Sequence, residues 1–263
     1  AFRLVIASAV LLPLGWAQAG TEILGLVRGQ WRLVVAAGVL LGLHFALWIA
    51  SLSYTSVASS VVLVTSTPLF VALASWILFR ERLRLPTVVG IAISLLGALL
   101  IGYAGLWLGG SALSGNLLAI SAAVAMAGYL LIGRRVRRNV GLLAYSTSVF
   151  TVAALMLVTV ALVTRTPFAG YTRGTYAVMV ALALIPQLIG HMSLNWALRF
   201  LPATMVTVAV LGEPVGASFL AWLALGESPS LLEIGGGALM LSGIALAFLR
   251  GGVVLTSSAE SPT

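Results

Sequence analysis

The sequence contains no cysteine, no lysine and no aspartate, and charged residues make up only 8% of its 263 positions. Without cysteine the chain cannot form a disulfide framework. It also lacks HExxH and GxSxG motifs and any cluster of acidic metal ligands, the usual signatures of metal-dependent and nucleophilic catalysis. We therefore expect no enzyme activity, no metal and no cofactor.

Apolar residues make up 61% of the sequence, and the mean hydropathy is +1.14. Such a chain is too apolar to cover its surface with polar groups, so we expect an integral membrane protein surrounded by the lipid bilayer. All 14 basic residues are arginines, and the net charge is +8. Basic residues collect in the cytoplasmic loops of membrane proteins, so this charge indicates topology and not nucleic-acid binding.

A transmembrane helix needs roughly 20 apolar residues. Nine segments have this character, at about 2–19, 33–53, 57–79, 86–106, 114–133, 141–163, 175–197, 202–225 and 230–249. Several connections are very short, so neighbouring helices are expected to form antiparallel hairpins in one bundle. The first segment also has the apolar core and A-x-A-like end of a signal peptide, but an uncleaved first helix explains it equally well.

An internal repeat emerges when the chain is aligned with itself at an offset of 146 residues. Chance matches between apolar segments are expected, but matched prolines, tryptophans and glutamates are harder to dismiss. We predict a first repeat at 1–110, a second repeat at 111–250 and a polar cytoplasmic tail at 251–263. The matched pairs are Pro68 with Pro214, Trp76 with Trp222, Glu81 with Glu227, Gly90 with Gly236, and Gly97 with Gly243.

The span at 114–133 has no counterpart in the first repeat. Either the natural chain has ten helices and this one begins after the first, or this member is shortened; we favour the former. Five helices per repeat is an odd number, so the second repeat must enter the membrane from the opposite side to the first.

The arginines predict a cytoplasmic C-terminus, because that orientation places eleven of them inside and three outside. The inner set is Arg28, Arg32, Arg80, Arg82, Arg84, Arg134, Arg135, Arg137, Arg138, Arg199 and Arg250. The outer set is Arg3, Arg165 and Arg173.

Two segments carry a family resemblance: "STPLFVALASWILFRERLR", and "VLGEPVGASFLAWLALGESPS" followed by "GGGALMLSGIALAFL". They resemble the EamA-type drug/metabolite transporter superfamily. The resemblance implies an all-α membrane protein, a bundle of two inverted five-helix repeats, of which nine helices are present here and the first is absent. It also implies a bacterial inner membrane location and alternating access for small metabolites.

Glu213 is the only acid near the middle of a predicted span, roughly 16 Å from either end. An ionised carboxylate there costs at least ~2.5 to 3.5 kcal/mol, so it should face the bundle interior or a wet cavity. It can then couple proton movement to transport or neutralise a substrate ammonium group. The alternative is a protonated acid that only holds helices together. Its repeat equivalent is Thr67, so the fold does not need the acid in both halves.

Pro68 and Pro214 lack an N–H and leave the carbonyls of Val64 and Val210 without their intrahelical partners. In lipid such backbone is tolerated only where protein or water satisfies it, which points both prolines toward an interior cavity. Prolines are also commoner in transmembrane helices in general. Their symmetric placement favours a pair of kinked gating helices.

Polar residues with i, i+4 spacing mark a candidate substrate or proton pathway. They are His44 with Trp48, and Gln187 with His191, which Asn195 extends by one turn. Histidine titrates near neutrality and can relay protons to Glu213. The alternative is that these side chains form ordinary interhelical hydrogen bonds.

These patterns predict a secondary active transporter of small metabolites, with export more plausible than import and possible proton coupling through Glu213. No span has a basic residue near its middle, which favours amino acids or amphipathic compounds over multiply anionic cargo. We expect a monomer or weak homodimer. The alternative function is a non-transporting scaffold or partner subunit, since an intramembrane enzyme would lack a catalytic set.

Overall fold

The computed structural model describes residues 1–55, 57–102, 112–225, 231–249 and 253–255. Nearly all of this chain is helical, as expected for apolar segments that must satisfy their backbone hydrogen bonds internally. The helices are α1 (Phe2–Ser51), α2 (Val57–Val64), α3 (Thr67–Phe79), α4 (Leu85–Gly102), α5 (Ala112–Arg137), α6 (Leu142–Val163), α7 (Arg173–Leu182), a π-helix (Ala183–His191), α8 (Met192–Ala197), α9 (Ala203–Val210), α10 (Glu213–Leu225) and α11 (Leu231–Leu249). Two short strands are β1 (Glu81–Leu83) and β2 (Val253–Leu255).

The described helices reproduce the predicted spans. α1 is assigned as one helix of 50 residues, but its backbone is non-helical at Ala19 and Gln30. These two kinks separate the two spans predicted in this region. Within the described chain, five helical segments are long and apolar enough to cross a membrane, and three apolar helices are shorter: Leu85–Leu100, Ala203–Gly216 and Ile234–Leu249. The fold is that of an all-helical membrane protein. Glu227 and Arg250, which the repeat and topology predictions used, lie outside the described residues.

The chain folds as two compact units, each drawing on both predicted repeats. The first unit comprises Ala1–Ala46 and Gly128–Leu201, and the second comprises Leu47–Ala127 and Pro202–Thr263. The two compact units therefore do not coincide with the two predicted repeats, and the repeat boundary near residue 110 stays a prediction from the sequence.

In the second unit, two spans are broken at equivalent points of the repeat. α2 ends at Val64, and α3 begins three residues later. α9 ends at Val210, and α10 likewise begins three residues later. An offset of 146 residues carries α2 onto α9 and α3 onto α10 at both ends. Pro68 and Pro214 are the second residues of α3 and α10, where a missing N–H costs no intrahelical bond.

α4 and α11 occupy equivalent positions in the two repeats, and they pack against each other through equivalent residues. Ser94 Oγ donates a hydrogen bond of 3.0 Å to the carbonyl of Met240, 146 residues away. On either side, Gly90 lies against Gly243 and Gly97 against Gly236, and the repeat exchanges these two contacts. A self-complementary contact of this kind indicates a two-fold axis. Because rising numbers on α4 meet falling numbers on α11, the helices are antiparallel, which confirms that the repeats are inverted.

Contacts at the helix ends agree with the predicted alternation of loops. In the second unit β1 pairs with β2, which places the segments after α3 and after α11 at the same end. In the first unit the Glu22 carboxylate accepts a 2.5 Å hydrogen bond from the Gly141 amide, and Phe2 packs against Phe168. Each pair joins segments predicted to lie on one side of the membrane. Which side is cytoplasmic remains a prediction.

Gly97→Ala should weaken the packing of α4 on α11, because an added Cβ would lie 2.5 Å from the Gly236 carbonyl oxygen. Overpacking of this kind costs about 1–3 kcal/mol, so thermal unfolding in detergent should begin at a lower temperature. Gly235→Ala is the matched control in α11, since nothing lies within 4 Å of its added Cβ. It should be neutral or stabilising by up to about 1 kcal/mol. Equal stability of the two variants would contradict the close approach.

Candidate functional site

Three of the predicted pathway residues lie together in the first unit. His44 is 4% exposed, Gln187 is fully buried and His191 is 9% exposed. Phe45, the residue after His44, packs its ring against that of His191 with centroids 5.2 Å apart. Phe45 and His191 are also repeat equivalents, so this contact is the counterpart in the first unit of the Ser94–Met240 contact in the second.

Arg3 joins this group, although no sequence pattern indicated it. Its Nε donates a 2.7 Å hydrogen bond to Oε1 of Gln187, and its guanidinium carbon lies 4.4 Å from the centroid of the Phe45 ring. A guanidinium over an aromatic face is a favourable cation–π contact. Arg3 belongs to the set predicted to lie on the outer side, and it was not among the predicted pathway residues.

The π-helix Ala183–His191 presents both Gln187 and His191. It contains Pro186, which has no N–H to donate and so disturbs the α-helical bonding of the turn. π-helical turns are rare and are frequent at functional sites. With more residues per turn than an α-helix, the segment still keeps residues four apart close to one face.

Two buried nitrogen atoms of the group have no hydrogen-bond partner among the residues that the structure describes: Nε2 of Gln187 and Nδ1 of His191. A buried polar group without a partner typically costs about 1–3 kcal/mol. Buried groups of this kind are uncommon in folded proteins and point to a strained site, a water or an ion. We call Arg3, Gln187 and His191 the Arg3 cluster.

Asn195, although it follows His191 by one helical turn, makes its hydrogen bonds elsewhere in the first unit. Its Oδ1 accepts from the Tyr129 hydroxyl at 2.5 Å, and its Nδ2 donates to Ser146 Oγ at 3.1 Å. Its carbonyl accepts from Arg137 Nε at 2.9 Å. The side chain thereby ties α8 to α5 and α6, and the structure does not bring it into the Arg3 cluster.

Glu213 lies in the second unit as the first residue of α10, and its side chain is exposed. The partial positive charge of a helix N-terminus favours a carboxylate at this position. Pro68 and Pro214 are buried, and Trp48 is half-buried. The acid therefore lies at the helix break, with an exposed side chain.

The equivalent break in the other repeat is capped differently. Thr67 Oγ1 donates a 2.7 Å hydrogen bond to the carbonyl of Val64, which satisfies the acceptor that Pro68 cannot serve. At the second break, the positions equivalent to Thr67 and Val64 are Glu213 and Val210. A carboxyl group can donate such a bond only when it is protonated.

The first unit also contains an apolar cavity of about 260 Å³. It is lined by Leu12, Trp16, Ile23, Val27, Trp31, Val34, Val35, Thr147, Ser148, Thr151 and Val152. All of the predicted site residues lie in the described part of the chain, and none of them lines this cavity.

Asn195→Ala should lower stability, because it leaves the buried hydroxyls of Tyr129 and Ser146 without this partner. We expect a loss of about 1–3 kcal/mol, measured as a lower midpoint of thermal unfolding in detergent. Ser193→Ala is the control on the same helix: its exposed hydroxyl bonds only the Ile189 carbonyl one turn back, and removing it should change stability by less than about 0.5 kcal/mol. An Asn195 variant as stable as the control would contradict the structural role.

Comparison with known proteins gives one family and several relatives. A model described as the EamA-like transporter family matches residues 1–103 and 113–249. The uncharacterized transporter YdfC of Bacillus subtilis is 29% identical over 193 residues, covering 72% of this chain and 61% of YdfC. The uncharacterized transporter YwfM of the same organism is 26% identical, covering 93% of this chain and 81% of YwfM. A solved structure titled "Crystal structure of protein" is similar in fold, with a TM-score of 0.80 at 23% identity, covering 95% of this chain and 85% of that one.

Proposed function

The chain belongs to the EamA-like transporter family, and on this premise we propose that it is a secondary active transporter of small metabolites, working by alternating access in a bacterial inner membrane. We propose export of amino acids or amphipathic compounds, with the C-terminus in the cytoplasm. The alignment spans only 61% of YdfC, so activity, substrate and partners are all part of the proposal.

The observation that carries the proposal is the pair of broken spans, α2–α3 and α9–α10, at equivalent points of the two inverted repeats. In secondary transporters, interrupted helices in corresponding positions of the two halves mark the substrate site and the moving parts. Short helix breaks are also natural hinges, because few backbone hydrogen bonds cross them. Rocking of one repeat against the other would then open the site to each side in turn.

Proton coupling through Glu213 has a specific physical basis at the second break. When protonated, its carboxyl can donate to a backbone carbonyl as Thr67 does in the first repeat; when ionised, it cannot. An ionised carboxylate is costly in hydrocarbon, so the exposed carboxyl of Glu213 should face water and not lipid. Protonation and deprotonation of Glu213 would change the hydrogen bonding at the break between α9 and α10. Proton binding would thereby be coupled to movement at this break.

Glu213→Gln should abolish proton-coupled transport, because an amide side chain does not ionise near neutral pH and so cannot carry the coupled proton. Proteoliposomes containing a pH-sensitive dye are supplied with a panel of amino acids, and substrate-dependent proton flux is recorded. Glu22→Gln is the control, since an amide oxygen can still accept the hydrogen bond from the Gly141 amide. Proton flux that persists unchanged in Glu213→Gln would refute the coupling role.

Pro214→Ala should reduce transport while preserving the fold, because an N–H at this position allows α9 and α10 to join into one helix. Joining would stiffen the hinge, and we expect the exchange rate to fall by about tenfold or more, equivalent to about 1.4 kcal/mol in the barrier. Pro86→Ala is the control, as this proline lies in the first turn of α4, away from either break. Counterflow of labelled substrate in proteoliposomes measures both variants.

The alternative function is a scaffold or partner subunit that uses the same fold without transport. Counterflow separates the two, because only a carrier exchanges internal for external substrate. Absence of counterflow for every compound that stabilises the purified protein would favour the scaffold.

A further inference from the structure

The apolar cavity of the first unit lies near one end of the spans that form its walls. Its lining residues fall within 12–16 on the first span of α1, within 31–35 on the second span and within 147–152 on α6. The first span ends at the Ala19 kink, the second begins at the Gln30 kink, and α6 begins at Leu142. At a rise of 1.5 Å per residue, all of these positions lie within about 15 Å of those helix ends. Because the hydrocarbon core of a bilayer is about 30 Å thick, the cavity occupies a single leaflet.

The short helical stretch between the two kinks, residues 20–29, forms the wall at that end. Ile23 and Val27 lie one turn apart on it and line the cavity, whereas the charged Glu22 is exposed. The Glu22 carboxylate accepts the hydrogen bond from the Gly141 amide, which brings this stretch to the start of α6. Helices with one apolar and one charged face lie in the membrane interface. The cavity is therefore situated just beneath the lipid headgroups.

The α6 wall of the cavity is apolar in effect, although three hydroxyl side chains belong to it. Thr147 Oγ1 donates to the Leu11 carbonyl at 3.3 Å. Ser148 Oγ donates to the Ala144 carbonyl at 2.8 Å, and Thr151 Oγ1 donates to the Thr147 carbonyl at 2.7 Å. The backbone already uses each hydroxyl proton, so these side chains offer no donor to a polar molecule. A polar group that entered would lose its hydrogen bonds to water, whereas a hydrocarbon chain would lose none.

Two tryptophans and two arginines lie where the cavity opens. Trp16 and Trp31 line the cavity and are exposed, and tryptophan is typical of the headgroup level of a membrane. The guanidinium carbon of Arg32 lies 5.5 Å from the centroid of the Trp31 ring. Arg28 is also exposed and follows the lining residue Val27. Both arginines belong to the set predicted to lie on the cytoplasmic side, where basic residues attract anionic headgroups.

We propose that the cavity holds one acyl chain of an anionic phospholipid, whose headgroup binds Arg28 and Arg32. Charge complementarity selects this occupant, because two guanidinium groups outweigh the single carboxylate of Glu22, and guanidinium geometry suits a phosphate. The chain can enter sideways from the bilayer, since Leu12 and Val35 line the cavity and are exposed. The bound lipid would join the two spans of α1 to α6 and stabilise the first unit, whether or not the protein transports a substrate.

The test titrates three compounds into the whole chain, purified in detergent, and records the midpoint of thermal unfolding. Dioleoyl phosphatidylglycerol is anionic, dioleoyl phosphatidylcholine has the same chains with a neutral headgroup, and glycerol 3-phosphate is an anionic headgroup without chains. Phosphatidylglycerol should raise the midpoint by about 2–4 °C more than phosphatidylcholine does, because a ligand stabilises the state that binds it. Glycerol 3-phosphate should have little effect. Equal shifts with the two lipids, or the full shift with glycerol 3-phosphate, would overturn the proposal.

The headgroup contact is tested with Arg28→Gln and Arg32→Gln. Each should weaken the apparent affinity for phosphatidylglycerol by about fivefold, equivalent to about 1 kcal/mol for one charge at the membrane surface, and leave phosphatidylcholine unaffected. Arg173→Gln is the charge-matched control, because Arg173 begins α7 and is exposed, and it belongs to the set predicted to lie on the opposite side. An equal loss in the control would show an effect of net charge alone and overturn the site.

The chain contact is tested with Val35→Trp, which fills the cavity from its open side. Val39→Trp is the matched control one turn further along: Val35 is 40% exposed and lines the cavity, whereas Val39 is 38% exposed and does not. The first variant should weaken the apparent affinity for phosphatidylglycerol by about tenfold or more, and the control should not. If Val35→Trp does not fold, as judged by gel filtration, the two arginine variants carry the test.

Other occupants of the cavity give different results. Equal affinity in Val35→Trp and Val39→Trp would show that no chain enters the cavity. A change of oligomeric state in Val35→Trp, with the lipid effect intact, would show a contact between two copies of the chain. Stabilisation by decanol that equals that of phosphatidylglycerol would show an apolar pocket without headgroup selection. Each of these results would overturn the proposal, and none of them depends on transport.

Discussion

The antiparallel approach of α4 and α11 is the contact on which the second unit depends. Glycines at 90, 97, 236 and 243 let the two backbones meet, and in lipid such packing replaces the hydrophobic effect as the force that joins helices. α2 packs on α4, and α9 packs on α11, so each broken span has its first half against one member of the pair. In the proposed mechanism, the α4–α11 pair is the fixed contact and the breaks beside it are the hinges.

Residues that differ between equivalent positions of the two repeats are the candidates for a specific function. Thr67 caps a helix break by itself, whereas Glu213 at the equivalent place can do so only in one protonation state. Leu41 is an ordinary buried residue, while Gln187 at the equivalent position meets Arg3. Where both repeats hold the same residue, as at Pro68 and Pro214, the residue serves the shared architecture. Where they differ in polarity, the shared fold does not require the polar member, which makes it a candidate for the proposed function.

Polar residues of similar spacing have very different environments in this fold. His191 and Asn195 are one helical turn apart, yet Asn195 is fully hydrogen-bonded to three partners, and His191 retains an unpartnered nitrogen among the described residues. A satisfied buried network stabilises one arrangement of helices. An unpartnered buried nitrogen does the opposite, because it costs free energy in the arrangement that buries it.

The sequence by itself determined the membrane setting, the spans, the repeat and its inversion, because hydropathy, rare-residue matches and arginine placement are properties of local segments. It also indicated His44, Gln187, His191 and the paired prolines as a polar and kinked set. Only the tertiary structure decided that Arg3 reaches Gln187, that Asn195 belongs to another network and that Glu213 is exposed. These facts depend on contacts between residues far apart in the chain, such as the 184 positions that separate Arg3 from Gln187, and no local pattern encodes which side chains a folded chain will bring together.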